Sequence, residues 1–334
     1  LAPVLSILDP SPIFVGRTAA DALNETRAVA QAADKMSFRS FWVQEHHNAV
    51  SFAGTAPEIL IADLASRTNR IVLGSGGIML PNYSPLKVAE IGQTLSALYP
   101  GRIEIGLGRA TGADPRASAA LLGPGGEHFP QMLQMMLDWH LDASGERALT
   151  QEHRTYGIRA NPAAPKPDVW ILCSSPSSAA FAGSMGLKLA FADFLNPGGA
   201  APALAAYREA FQPSAFADKP YCAVGLVALA AETEAEADYL SSTVKAWSLS
   251  RGSGHFKPYL DAETAAAHLE AAPLIPPNRA IIGTGETVAK RLHETANEAD
   301  ADELFILSIT ESTETRIRSY ELMDAAWAEL TENT

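Results

Sequence analysis

The sequence predicts an α/β fold of the (β/α)8, or TIM-barrel, type, and two observations carry that expectation. Short apolar runs alternate with amphipathic stretches of helical period eight times along the chain, as expected for parallel strands joined by helical crossovers. The chain has 334 residues, enough for one closed barrel of roughly 250 residues plus insertions. Residues 1–334 are therefore read as one barrel domain. An open doubly wound sheet is the alternative that alternation alone leaves standing.

The elements follow in order. Residues 4–8 read as the first strand and 20–35 as a helix of period 3.6, with Thr18 as its N-cap. Strand 40–43 precedes helix 57–67, where Thr55 stands near the cap and Pro57 suits the first turn. Strands at 71–74 and 103–107 are followed by helices at 86–98 and 129–141. The stretch 142–167 is irregular, since the prolines of NPAAPKP cannot continue a helix. Strands 169–173 and 188–192 alternate with helices 177–185 and 200–211. The run 223–230 is apolar throughout, as a parallel strand covered on both faces should be. Helix 232–249, strand 304–309 and helix 314–330 complete the series. Residues 251–279 are polar and interrupted by proline, which marks an insertion before the last strand, either a lid or a solvated loop.

Composition narrows the function classes. Hydrophobic residues make up 47% and charged residues 19% of the chain, which suits a large core. A formal net charge of −13 argues against nucleic acid and against an anionic membrane surface, both of which need a basic face. No segment approaches the roughly 18 uninterrupted apolar residues of a membrane span. The N-terminal LAPVLSILDPSP lacks a basic segment ahead of its apolar run, so it reads as a strand rather than a secretory signal. The chain starts without Met, which suggests trimming. Cys173 and Cys222 both lie in apolar, strand-like runs and read as buried reduced thiols, consistent with a cytoplasmic location.

In a barrel, chemistry collects after the carboxyl ends of the strands. There the chain carries Gln44-Glu45-His46-His47-Asn48, then Gly74-Ser75-Gly76-Gly77, then Gly106-Leu107-Gly108-Arg109-Ala110-Thr111, then Ser174-Ser175-Pro176-Ser177-Ser178. Glycines without Cβ let a flat ligand approach the backbone, though tight packing at a rim explains them equally. Gly106-x-Gly108-Arg109 is only a fragment of a dinucleotide fingerprint. Arg109 with Ser174, Ser175 and Ser178 reads better as a phosphate site, because a guanidinium fork and a helix start both favour an anion. Simple N-capping is the bland reading of the serines. His46 and His47 are adjacent, so in extended chain at most one faces the mouth. Neither has a companion cluster for zinc, and a proton-transfer or hydrogen-bonding role fits an imidazole better. Glu45 is placed to orient a histidine or to pair with a rim arginine. No Gly-x-Ser-x-Gly elbow supports a serine hydrolase. Phe14, Met79 and Leu80 are candidate pocket walls.

Four blocks resemble the bacterial luciferase-like flavin-dependent monooxygenases. They are FWVQEHH at 41–47, GSGGIMLPNYSPLKVAE at 74–90, YPGRIEIGLGR at 99–109 and WILCSS at 170–175, with LSILDPSP at the start. The resemblance implies a barrel that binds FMN, used as reduced FMN with O2 to oxidise a small organic substrate. It implies delivery of the flavin by a separate NAD(P)H-dependent reductase, and a homodimer. Carried over by motif, the resemblance implies that Gly76 and Gly77 contact the flavin ring through a cis peptide and that Arg109, Ser174, Ser175 and Ser178 hold the phosphate. His46 becomes the active-site histidine, with His47 its neighbour. The chain departs from luciferase itself at Ser174, where luciferase is acidic, and at Gly108, where it has Cys, so light emission is not implied. Cys173 also departs, standing where similar chains carry Gly, and so does the region of Phe194, near which similar chains carry His. An F420-dependent barrel oxidoreductase and a non-catalytic flavin-binding relative are the alternatives.

Overall fold

A computed structural model describes residues 3–121, 126–252, 257–271 and 280–332. Eight parallel strands close a barrel: β1 (Val4–Asp9), β2 (Ser40–Val43), β3 (Val72–Met79), β4 (Ile103–Gly108), β5 (Asp168–Cys173), β6 (Lys188–Ala192), β7 (Cys222–Ala231) and, eighth around the ring, β9 (Glu303–Leu307). Each strand pairs with the next, β7 pairs with β9, and β9 returns to β1. The expected barrel is therefore observed. One short strand, β8 (Ile281–Thr284), pairs outside the ring with Ala228–Ala231 of β7. The ten-residue β7 is long enough to serve β9 with its first half and β8 with its second. The sequence reading missed β8, because four residues carry too little periodicity to stand out.

Helices cover the outside. They are α1 (Ala19–Ala33), α2 (Pro57–Ala65), α3 (Pro85–Leu98), α4 (Pro115–Leu121), α5 (Phe129–Ala143), α6 (Pro176–Ser184), α7 (Ala200–Ala210), α8 (Glu234–Gly252), α9 (Ala262–Glu270), α10 (Gly285–Ala299) and α11 (Thr313–Glu332). Thr18 caps α1 as expected: its side chain accepts from Asp21 N at 3.2 Å while its own N–H donates to the Asp21 carboxylate at 2.8 Å. At α2 the cap is Ala56, without a side-chain bond, and Pro57 opens the helix; Thr55 lies one residue too early. The sequence reading also missed α4, α9 and α10. Part of the expected 251–279 insertion, residues 253–256 and 272–279, lies outside the described residues. Within it, α9 is helical and Tyr259 is stitched to the loop after β1: Tyr259 N donates to Ile13 O, and Val15 N to Tyr259 O, both at 2.8 Å. Among the described residues no helix is long and apolar enough to cross a membrane.

Strand alternation sorts side chains between two cores. Ile7, Phe41, Ile105, Ile171, Val224 and Ile306 point outward into the layer under the helices. Their neighbours Leu8, Trp42, Trp170, Ala223 and Phe305 fill the barrel. Trp42 packs edge-on to Trp170, with centroids 5.1 Å apart, and lies 4.1 Å from Phe305. This aromatic layer forms the floor beneath the mouth. It also explains interior glycines: a Cβ at Gly74 would lie 2.3 Å from Trp42 Nε1.

Below that floor sits a charged plug. Arg39 donates to Glu104 through two bonds of 3.0 Å and to Glu303 at 2.9 and 3.0 Å. The indoles of Trp42 and Trp170 donate to Glu104 at 2.8 and 3.1 Å, and Tyr221 donates to Glu303 at 3.0 Å. Burial alone would depress Arg39, but the two carboxylates hold it above its ordinary value. The plug is satisfied on all sides, so it closes the amino-terminal end of the barrel without leaving bare charge.

Candidate functional site

A cavity of about 630 Å³ opens at the carboxyl ends of the strands. It joins a smaller lobe of about 310 Å³ through Arg109, Gly126, Leu172 and Ser178, which line both. Of the residues expected from sequence, His46, Gly76, Arg109, Ser174 and Ser178 line the main cavity.

His46 and His47 diverge as extended backbone requires. The His46 ring stacks on Phe52, with centroids 4.4 Å apart and planes 27° apart, and faces the cavity. His47 turns the other way and binds Glu45, with Nε2 2.7 Å from Oε1. Glu45 is 1% exposed, so its carboxylate oxygens must find donors within the fold. It accepts from Met79 N at 2.9 Å and from Asn82 Nδ2 at 3.0 Å. It thus orients a histidine, the first of its two expected uses, and binds the end of β3 to the segment after β2. The neighbouring Tyr83 hydroxyl is pushed well above its ordinary range by burial and by the nearby Glu45 and Glu58 carboxylates.

The four residues Gly74 to Gly77 belong to β3 itself rather than to the loop after it, with an irregular register between Gly76 and Ile78. The Gly76–Gly77 peptide is cis. Gly76 borders the cavity, and a Cβ there would lie 2.4 Å from Leu8 Cδ1, the movable end of a side chain. Gly77 is behind the wall, where a Cβ would lie 2.7 Å from Gly106 O. Both readings of the glycines, rim packing and close backbone approach, therefore meet at Gly76, while Gly77 answers to packing.

Arg109 follows β4 and is exposed. Among the described residues its guanidinium has no hydrogen-bond or ion-pair partner, and it borders both lobes. Ser175 caps α6, with its Oγ accepting from Ser178 N at 3.3 Å. Its hydroxyl also lies 3.1 Å from Ser178 Oγ. Ser175 therefore does not line the cavity: it fixes the helix start that presents Ser178, while Ser174 and Ser178 face inward. Pro176 at the first helical position removes one potential N–H donor. Glu127 brings an exposed carboxylate to the smaller lobe.

Met79 lines the cavity as expected. Leu80 does not, being wholly buried in the outer core, and Phe14 stands behind Tyr259 with ring centroids 5.6 Å apart. The thiols of Cys173 and Cys222 are free and buried, and burial pushes each up to about 12. The sequence reading missed the far wall, built from Phe52, Val244, Trp247 and Tyr259. Nothing local marks these residues, because they come from three separate segments. It also missed Arg316, wholly buried, which pairs with Asp9 at 2.9 Å and Glu25 at 3.3 Å and so anchors the end of β1 beside the cavity residue Pro10.

A closed parallel barrel with a cavity at the carboxyl ends of its strands, lined by a histidine, an arginine and a helix start, defines a ligand-binding (β/α)8 barrel. The chain belongs to the luciferase-like monooxygenase family, whose model matches residues 5–303. It is 38% identical over 335 residues to YwcH of Bacillus subtilis (strain 168), covering 97% of this chain and 99% of that one. Among solved structures it is similar to apo-MsnO8, with 33% identity, a TM-score of 0.88 and 98% of both chains covered. Two more distant structures share the fold alone. One is the oxygenating constituent of 3,6-diketocamphane monooxygenase from Pseudomonas putida in complex with FMN, with 18% identity, a TM-score of 0.72 and 98% of each chain covered. The other is an F420-dependent secondary alcohol dehydrogenase, with 17% identity, a TM-score of 0.62, and 98% of this chain and 99% of that one covered.

Proposed function

We propose that this chain is a monooxygenase that uses reduced FMN and O2 to oxidise a small organic substrate. The observation that carries the proposal is one shared cavity: Arg109, whose guanidinium has no partner among the described residues, Ser174, Ser178 and His46 all line it. These groups suit the cofactor. An arginine fork with hydroxyls at a helix start receives a phosphate. The backbone at Gly76, bare of side chain, leaves room for a flat ring system against the wall.

Bound reduced FMN supplies the electrons with which O2 is activated. The chain's own residues do the rest. Arg109, Ser174 and Ser178 grip the phosphate, and Ser175 holds the helix start in place. His46, fixed against Phe52, exchanges a proton at the mouth of the site. His47 stays with Glu45 and acts through the shape of the loop. The apolar walls keep water from the reacting centre. In this reading a separate NAD(P)H:flavin reductase delivers the flavin, as the resemblance to the family implies. A homodimer in the cytoplasm completes the reading.

Anaerobic titration with reduced FMN and with F420, followed by oxygen-consumption measurements with a flavin reductase, tests it. FMN should bind more tightly than F420, and Arg109→Ala should weaken FMN by about 10- to 150-fold, the equivalent of a charged hydrogen bond worth about 1.5–3 kcal/mol. Unchanged FMN affinity in the variant would remove the phosphate assignment. Tighter F420 binding would favour an F420-dependent oxidoreductase, and FMN binding without oxygen uptake a non-catalytic relative.

A further inference from the structure

The cavity has two chemically distinct ends. At one end stand Arg109 and Ser178, shared with the smaller lobe, which contains none of the aromatic wall. At the other, Phe52 lies 5.7 Å from Trp247 and 6.1 Å from Tyr259, and Trp247 stacks on Tyr259 at 5.1 Å and 18°. Phe194, Val227 and Val244 also line the cavity. Among the described lining residues the only charged side chains are Arg109 and Glu45, and Glu45 is engaged by Met79 N, Asn82 and His47. The Ser248 hydroxyl donates to Val244 O at 2.8 Å. Among the described residues the aromatic end is thus a wall of flat π-faces without a charge to receive an ion.

That wall is held rather than loose. Trp247 Nε1 donates to Ser51 Oγ at 3.0 Å, and Ser51 Oγ donates to Lys257 O at 2.7 Å. Together with the backbone bonds of Tyr259, these ties join α8, the insertion and the loops after β1 and β2 into one surface that reaches His46 through Phe52.

We propose that the substrate is an uncharged, apolar molecule built on an aromatic or fused ring, seated between the Phe52–Trp247–Tyr259 wall and Phe194. This deepens, and rests on, the monooxygenase reading. Rings stack on such faces in offset or edge-on arrangements and gain beyond their buried area. A carboxylate or ammonium placed there would lose its water without a partner. A flexible chain would bury similar area but give up more conformational freedom.

Calorimetric titration of the full, flavin-free chain with three probes of similar size tests this: 2-naphthylmethanol, 2-naphthoate and 1-decanol. The neutral ring should bind at one site per chain, at least tenfold more tightly than either of the others. Trp247→Ala should weaken it at least fivefold, and Trp247→Phe should restore most of the affinity. Phe194→Ala, at another lining residue of the cavity, should also weaken it and serves if Trp247→Ala melts early. Saturating FMN should leave the binding intact. The proposal is overturned if naphthoate binds as tightly as the alcohol, if decanol binds more tightly, if folded wall variants bind normally, or if FMN displaces the probe. Failure of FMN to bind at all would instead refute the cofactor reading, and the flavin-free titration would still decide this one.

Discussion

Replacing Arg39 with Met should destabilise the protein strongly, and more at alkaline than at acidic pH. Arg39 makes four hydrogen bonds to Glu104 and Glu303, whose side chains are 2% and 0% exposed. Methionine fills much of the volume but leaves two carboxylates facing each other in the barrel. Removing one partner from a buried ionic group costs about 3–5 kcal/mol. Arg39 is 28% exposed, so some solvent reaches the gap and the lower half of that range applies. In a chain of this size each kcal/mol moves the midpoint by about 2 °C, so the melting temperature should fall by about 6–8 °C. Burial already raises Glu303 above the ordinary carboxylate range even with Arg39 opposing it, and loss of Arg39 raises it further. A carboxyl raised in the folded state is most favourable while protonated, below its unfolded value, and its contribution is lost as pH rises through the folded value. Thermal melts of variant and parent at pH 5 and pH 8 should therefore differ least at pH 5. A variant within about 2 °C of the parent at pH 8 would show that the plug is not held as described.

Other outcomes follow from the same geometry. Gly77→Ala should cost more than Gly76→Ala in urea unfolding. The new Cβ at 77 meets the carbonyl of Gly106 at 2.7 Å, whereas at 76 it meets the movable tip of Leu8 at 2.4 Å; overpacking of this kind costs about 1–3 kcal/mol, and the reverse order would contradict the packing. His140, on α5 against the Gln93 amide of α3, is pulled down to about 3 by burial and then by Lys166. Its ring should not titrate by NMR between pH 5 and 8. Because its folded value lies below the unfolded one, its effect on stability appears as pH falls below about 6.5 and grows towards 3; a His140 signal moving near pH 6.5 in the folded protein would refute its burial. With burial raising both thiols to about 12, Cys222 should resist a disulfide reagent at pH 8 until guanidinium unfolds the chain, and Cys173, at the cavity wall, should react more slowly than a free thiol. Fast modification of either in the folded state would refute that reading.

Local rules were enough to read much of this protein from its sequence. Strand alternation and helical period located all eight barrel strands, the Thr18 cap and the opposed directions of His46 and His47, because each depends on residues a few positions apart. The rule that barrel chemistry gathers after strand ends was enough to bring Arg109, Ser174 and Ser178 forward together. Other features depended on how the barrel closes. Arg39, Glu104 and Glu303 meet across separations of 65 and 264 residues, and only the register of β9 against β1 and β7 puts them at one level. Trp247 and Tyr259 reach Phe52, and through it His46, from a helix and an insertion about two hundred residues further along the chain. Ser175 and Gly77 carry the residue types of a binding site, and only the tertiary structure shows that Ser175 also caps α6 and that Gly77 packs against the Gly106 carbonyl. Alternation along a strand is set by the chain's own covalent geometry, whereas a side chain's neighbours across a closed barrel are set by strand stagger and helix placement, which no short stretch of sequence contains.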